Sequence, residues 1–273
     1  MNVPNWLGEV LVLGAMVLAA AACFRDERVW IRRLGVWLVL ATIGMTVWFL
    51  TDRWYLVLMA LTAWFVIPVS QAALMSRRLQ FSLKRTLMPG PLDAEEFPEI
   101  HPISNELREL GFVRESDEWL RPSPLDQGFR IFHHSEQPHA AALAVVKQGA
   151  ISLSYLIYAT TDCRGQVWIT WDYPLAYGLK IPPHFQVYRC LEAEDVAGLF
   201  EQHRNFIEIN EVEVLSEPGD AKAVFEQLFK ETMLYNLDQG LLHPMKESEE
   251  QIGYSWRGTL YISWQVFIEL VTG

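Results

Sequence analysis

Three long uncharged stretches open the chain, and short alternating stretches follow them. Residues 34–50 and 54–76 carry no charged side chain, and residues 4–24 carry only Glu9. A helix rises about 1.5 Å per residue, so about 20 residues cross roughly 30 Å of hydrocarbon. The middle stretch gains enough length by starting near residue 31. The pattern therefore predicts three transmembrane helices, at about residues 4–24, 31–50 and 54–76.

Beyond residue 102 the pattern changes to that of a soluble domain. Short alternating stretches separated by turn residues predict β-strands at 129–134, 139–147, 151–160, 166–172 and 185–190. Apolar residues at helical spacing predict helices at 102–110, 194–207 and 221–238. The alternation favours an antiparallel sheet with one covered face, on which the helices pack. The expected fold class of the whole chain is α+β.

The domain boundaries follow from composition. Residues 1–85 form the predicted membrane domain, the Pro- and Glu-rich residues 86–102 a linker, and residues 103–273 an acidic α+β domain. The stretch 256–272 fits two structures, because its apolar residues match both the strand period and the helix period. An amphipathic helix that packs on the domain or lies at the membrane surface is the favoured interpretation, and a last sheet strand is the alternative.

Charge divides the chain at Arg85 and sets its orientation. Residues 1–85 contain 9 Lys and Arg against 4 Asp and Glu, whereas the rest contains 13 against 29. The arginines between the first two predicted helices and after the third belong on the cytoplasmic side. We therefore expect a multi-pass protein of the cell (inner) membrane, with its N-terminus outside and its C-terminal domain cytoplasmic. A cleaved signal peptide is the alternative, but the first helix lacks a basic segment before it.

The same charge distribution bears on partners. An acidic domain repels phosphate backbones, so nucleic acid is not an expected partner. The expected partners are the lipid bilayer and either another protein or a second copy of the chain.

Chemical motifs are sparse in this sequence. It contains no dinucleotide-binding, phosphate-loop, zinc-protease or nucleophile-elbow motif, and no cofactor is predicted. His203 lies on the apolar stripe of a predicted helix, where it acts either as a base or pH switch or as a hydrogen-bonded core residue. Cys163 lies at a predicted hairpin tip, as a candidate nucleophile or an ordinary turn residue. These two residues are the catalytic candidates.

One cluster has the residue types of a metal site. It contains His133, His134, Glu136 and His139. On a strand, His133 and His134 point to opposite faces, so they cannot share an ion without a bulge. Polar residues at a hairpin tip are the alternative, and no metal is predicted. A second set, the aromatic residues 155–177, either lines a ligand groove or fills the core.

Several short elements resemble those of a group of uncharacterised bacterial membrane-anchored proteins. They are Leu110-Gly111-Phe112 at a helix end, the hairpin from Gly165-Gln166 to Thr170, Ile181-Pro182-Pro183, Gln202-His203 and the stretch from Tyr254 to Gly258. These elements cover most of residues 103–258. The resemblance implies no activity, so no residue inherits a role from it.

The leading functional hypothesis is a membrane-anchored binding or scaffold domain that faces the cytoplasm. The alternatives are a membrane-tethered enzyme with a site built from scattered residues, and an accessory subunit of a transport or secretion complex. Clustering of His203, Cys163 and acidic side chains in one concave pocket would favour the enzyme. Burial of these residues in separate places would favour the binding domain.

Overall fold

The computed structural model describes residues 5–25, 28–82, 86–93, 95–121, 126–148, 151–174, 178–215, 219–245 and 248–272. It contains two compact units. The first, which we call the helical unit, comprises Met1–Ser76 and Thr259–Gly273. The second, which we call the sheet unit, comprises Arg77–Gly258.

Seven helices and ten strands lie in the described residues. The helices are α1 (Asn5–Phe24), α2 (Val29–Thr51), α3 (Trp54–Arg78), α4 (Ile100–Glu109), α5 (Val196–Ile209), α6 (Ala221–Asp238) and α7 (Trp256–Thr272). The strands are β1 (Gln80–Ser82), β2 (Thr86–Pro89), β3 (Phe112–Arg121), β4 (Asp126–His134), β5 (His139–Gln148), β6 (Ile151–Thr161), β7 (Val167–Trp171), β8 (Phe185–Arg189), β9 (Leu242–Met245) and β10 (Ser248–Tyr254). The chain is therefore α+β, as the sequence predicts.

Two helices of the helical unit are long and apolar enough to cross a membrane. They are Arg33–Thr51, within α2, and Trp54–Arg78, which is all of α3. The apolar part of α1 among the described residues, Gly8–Phe24, has only 17 residues. Among the described residues, the structure thus offers two candidate spans where the sequence predicts three.

Small residues bring the first three helices close together. A Cβ atom added to Gly35 of α2 would lie 3.1 Å from the Cβ of Cys23 on α1. A Cβ atom added to Gly44 would lie 3.4 Å from a methyl group of Val57 on α3. Glycines at such positions allow apolar helices to pack at short distance.

The C-terminal stretch, which fits both periods in the sequence, is the helix α7. Its Phe267 ring lies 5.7 Å, centroid to centroid, from Phe65 of α3. Part of α7 therefore belongs to the helical unit and packs against an apolar helix.

The sheet unit contains a seven-stranded sheet and a three-stranded sheet. The larger sheet has the order β2-β3-β4-β5-β6-β7-β8, so each strand pairs with the next one along the chain. All of its pairs are antiparallel except β7–β8, which is parallel. The smaller sheet has the order β1-β10-β9 and is antiparallel. The larger sheet is therefore mixed, which differs from the antiparallel sheet that the sequence predicts.

Both faces of the large sheet are covered, whereas the sequence predicts one covered face. Residues Tyr155 and Ile157 of β6 lie in a core with Phe225 of α6. The alternate residues Leu156 and Tyr158 lie in a second core with α4 and α5. The expectation failed because the alternate positions of β6 are polar at Ser152 and Ser154 but continue with the apolar Leu156 and Tyr158.

The segment 86–102 also differs from the linker that its composition predicts. Its first four residues form β2, whose Leu87 pairs with Leu120 of β3. Leu92 and Phe97 are buried in the core beneath α4. Apolar residues spaced along a Pro-rich segment thus fix it against the sheet, because each one removes apolar area from water.

Candidate functional site

The catalytic candidate His203 lies in a buried chain of hydrogen bonds between α5 and the sheet. Its Nε2 is 2.8 Å from the Thr160 hydroxyl, and its Nδ1 is 2.9 Å from the Thr170 hydroxyl. The Thr160 hydroxyl also lies 2.7 Å from Nδ1 of His139. We call these four residues the His–Thr network. All four are buried, and His203 is 0% exposed.

The network has the hydrogen-bonding capacity to hold both imidazoles neutral. A neutral imidazole provides one donor and one acceptor nitrogen, and each hydroxyl can donate one proton. Burial, together with the nearby His139 ring, lowers the pKa of His203 to about 3. Burial likewise lowers the pKa of His139 to about 4, helped by the His134 ring and the Arg204 guanidinium. Tyr158, stacked on His203 at 5.9 Å, closes the network from the core side.

His134 closes the β4–β5 hairpin. Its Nδ1 accepts hydrogen bonds from the backbone N–H groups of Glu136 and Gln137, at 3.1 Å each. The proton therefore lies on Nε2, which donates to the backbone carbonyl of Leu110. Burial lowers the pKa of His134, which favours this neutral form. One ring nitrogen thus holds the β4–β5 turn, and the other ties it to the end of α4.

The structure separates the three histidines of the metal hypothesis. His133 points to the opposite face from His134 and lies 3.6 Å from the Glu115 carboxylate. The His134 and His139 rings are 6.3 Å apart and perpendicular. Among the residues that the structure describes, no group of three or more His, Cys, Asp or Glu side chains is arranged to hold a metal ion.

Cys163 lies in the turn between β6 and β7, outside the His–Thr network. The side chain is exposed, and its thiol lies 3.4 Å from the Glu213 carboxylate. Local desolvation and this carboxylate raise the pKa of the thiol, although the side chain reaches solvent. A nucleophilic cysteine requires the opposite shift, because the thiolate is the reactive form. The two catalytic candidates therefore do not form one site.

The aromatic residues between 155 and 177 divide between the two faces of the sheet. Tyr155 contacts Tyr173 at 4.8 Å, on the face that α6 covers. Tyr158 is fully buried on the other face. Trp171 packs with Tyr173, and Tyr177 lies outside the described residues. Tyr155, Tyr158 and Trp171 therefore pack in the two cores and do not line one groove.

One aromatic group remains at the surface, beside the edge strand β8. Phe206 of α5 lies 5.2 Å from Trp168 of β7 and 5.5 Å from Tyr188 of β8, between ring centroids. One helical turn further on, Ile209 is 80% exposed. We call these four residues the edge patch. Sequence reasoning missed it because Phe206 meets Trp168 and Tyr188 only through the packing of α5 on the sheet.

Comparisons of the chain with protein-family models, with curated proteins and with solved structures find no match in any of the three. The fold defines an α+β protein with one apolar helical unit and one sheet unit.

Proposed function

We propose that this chain is a membrane-anchored binding or scaffold protein whose sheet unit meets a protein partner in the cytoplasm. The helical unit would anchor the chain in the cell (inner) membrane by three spans. The N-terminus would lie outside, and the basic residues Arg77 and Arg78 at the end of α3 would lie inside.

The exposure of apolar side chains in the helical unit supports the anchoring. Leu50 is 79% exposed, and Leu58 and Met59 are both more than half exposed. Helices of a water-soluble protein bury such a stripe against their neighbours. An apolar surface extending over successive helices is instead typical of contact with lipid or with another apolar protein.

The edge patch is the single observation that supports the binding role best. Tyr188 is exposed on β8, which pairs only with β7 among the described residues, and Ile209 is exposed one helical turn after Phe206, the ring that contacts Tyr188. An edge strand offers free backbone N–H and C=O groups to an added strand, and neighbouring side chains supply specificity. Aromatic side chains are also enriched among the residues that dominate protein–protein affinity. The patch therefore has the chemistry of a strand-docking surface.

The competing enzyme hypothesis needed His203, Cys163 and acidic residues in one pocket. His203 is fully buried in the His–Thr network, whereas Cys163 is exposed on a turn. Their separation favours the binding role over an enzyme built on this pair.

The test is purification of the full-length chain from its native membrane in a gentle detergent, with mass spectrometry of the bound proteins. We expect a stoichiometric protein partner, or a homo-oligomer by light scattering. The substitution Ile209→Asp should release that partner, because it places a charge in the apolar contact. Leu234→Asp is the matched control, since Leu234 is 47% exposed on α6, across the sheet from α5.

The proposal fails if the wild-type chain is a monomer without a stoichiometric protein. It also fails if the Ile209→Asp variant, correctly folded, retains its partner as fully as the Leu234→Asp variant does.

A further inference from the structure

A cleft between α4 and the strands β3 and β4 has a basic wall in an otherwise acidic unit. It has a volume of about 300 Å³, and its lining includes Arg108, Arg114 and Arg130. No Asp or Glu side chain belongs to that lining among the described residues. Its apolar lining is the exposed Val113, with the buried Phe112 and Phe132 beneath. The volume is at the lower end of the range for small-molecule sites.

Two guanidinium groups share one carboxylate at the wall of this cleft. Arg130 donates from Nε and Nη2 to the two oxygens of Asp117, each at 2.8 Å. Arg114 donates to the same carboxylate at 2.7 Å. One negative charge thus faces two positive charges, and Arg108 adds a third positive charge to the lining. The cleft carries an excess of positive charge that a bound anion would neutralise.

Arg130 keeps donors for such an anion. A guanidinium has five N–H groups, of which three are used, two by Asp117 and one by the Ser104 hydroxyl at 3.3 Å. No described residue accepts from the other two. The side chain is only 7% exposed, so its position is fixed by the protein before any ligand arrives.

A β-bulge in β3 directs Arg114 into the cleft. The pairing of β3 with β4 shifts by one residue between Arg114 and Ser116. In a regular strand, Arg114 and Asp117 would point to opposite faces, because side chains alternate. The bulge places both on one face, where they form their ion pair. Bulges commonly re-aim side chains next to functional sites.

We propose that this cleft binds a small organic anion, with a carboxylate or phosphate head on the arginines and a short apolar body along Val113, which is 48% exposed. The planar guanidinium matches the two-oxygen geometry of both heads. The 300 Å³ volume limits the ligand to a short chain or a single ring. This inference does not depend on the protein partner, because the cleft and the edge patch share no residue. The same head chemistry occurs in a free acid and in an anionic lipid.

The experiment is a ligand-observed NMR titration of the full-length chain in nanodiscs of phosphatidylcholine. The probes are hexanoate, hexyl phosphate and the neutral hexanamide. We expect both anions to bind at least about tenfold more tightly than the amide, because hydrogen bonds to charged groups are the stronger ones. Arg114→Gln and Arg108→Gln should each raise the Kd of both anions by about tenfold and leave the Kd of hexanamide unchanged.

The controls separate this site from nonspecific charge and identify the source of the anion. Arg164→Gln removes an exposed arginine outside the cleft and should leave all affinities unchanged. If nanodiscs that contain phosphatidic acid abolish hexanoate binding to the wild-type chain, the cleft takes a lipid head; if binding persists, it takes a free acid. The inference is overturned if hexanoate and hexanamide bind equally, or if the Arg114→Gln and Arg108→Gln variants bind hexanoate as the wild type does.

Discussion

Acidification should destabilise the sheet unit through the two buried histidines of the His–Thr network. The pKa of His139 is lowered from 6.5 to about 4 and that of His203 from 6.5 to about 3. Both folded values lie below the unfolded value, so the unfolded chain binds protons first as the pH falls. The stabilisation is complete above pH 6.5 and is lost progressively toward the folded pKa values.

The magnitude follows from the pH interval. Each unit of pH below 6.5 costs about 1.4 kcal/mol per histidine that stays neutral in the fold. Between pH 7.5 and 5, each of the two residues should therefore lower the free energy of unfolding by about 2 kcal/mol, or about 4 kcal/mol together. This is a large part of the roughly 5–15 kcal/mol that stabilises a typical domain.

Amide hydrogen exchange of β5 and β6, in the full-length chain in mild detergent, measures this change after correction for intrinsic exchange rates. His203→Gln removes one titrating group. On acidification, the opening free energy of this variant should therefore fall by about 2 kcal/mol less than that of the wild type. His133→Gln is the matched control, because His133 lies outside the network on the opposite face. Equal pH dependence in the wild type and the His203→Gln variant would refute the reasoning.

Two further substitutions test other contacts. Asp117→Asn should destabilise the sheet unit by about 3–5 kcal/mol in the same exchange measurement, because it leaves the buried Arg130 guanidinium without its carboxylate. The control Asp238→Asn changes an exposed residue and should have almost no effect. Gly258→Ala should lower the thermal midpoint, because its Cβ would lie 2.0 Å from the Leu241 carbonyl oxygen, whereas Gly219→Ala has open space and should not. A stable Asp117→Asn protein, or equal midpoints for the two alanine variants, would contradict these contacts.

Local sequence signals predicted the elements that are built from local interactions. The predicted helix 221–238 coincides with α6, because Asp220 accepts a hydrogen bond from the Ala223 N–H and fixes the helix start. β3 was missed, since its run of charged residues resembles a surface loop. Its buried Asp117 and Glu118 are tolerated only because distant residues, Arg130 and Lys222, pair with them.

The candidate site was likewise predictable only where local sequence signals define it. The apolar stripe of α5 placed His203 toward the core, and the structure agrees. Its partners Thr160 and Thr170 carried no signal, because threonine is common in strands. The strand register, in which His139 lies opposite Thr160, and the packing of α5 on the sheet together assemble the network. That register depends on pairing between residues about 20 positions apart, which periodicity does not encode.

The central claim is that the helical unit anchors the chain and holds the sheet unit on the cytoplasmic side. The exposed Cys163 is a native reporter for it, since Cys190 is buried and Cys23 can be replaced by serine. The measurement is labelling of this Cys23→Ser chain with a membrane-impermeant maleimide, in intact cells and in inside-out vesicles. The account predicts labelling of Cys163 in the vesicles and protection in intact cells. Labelling in intact cells, or release of the chain from membranes by alkaline carbonate, would contradict it.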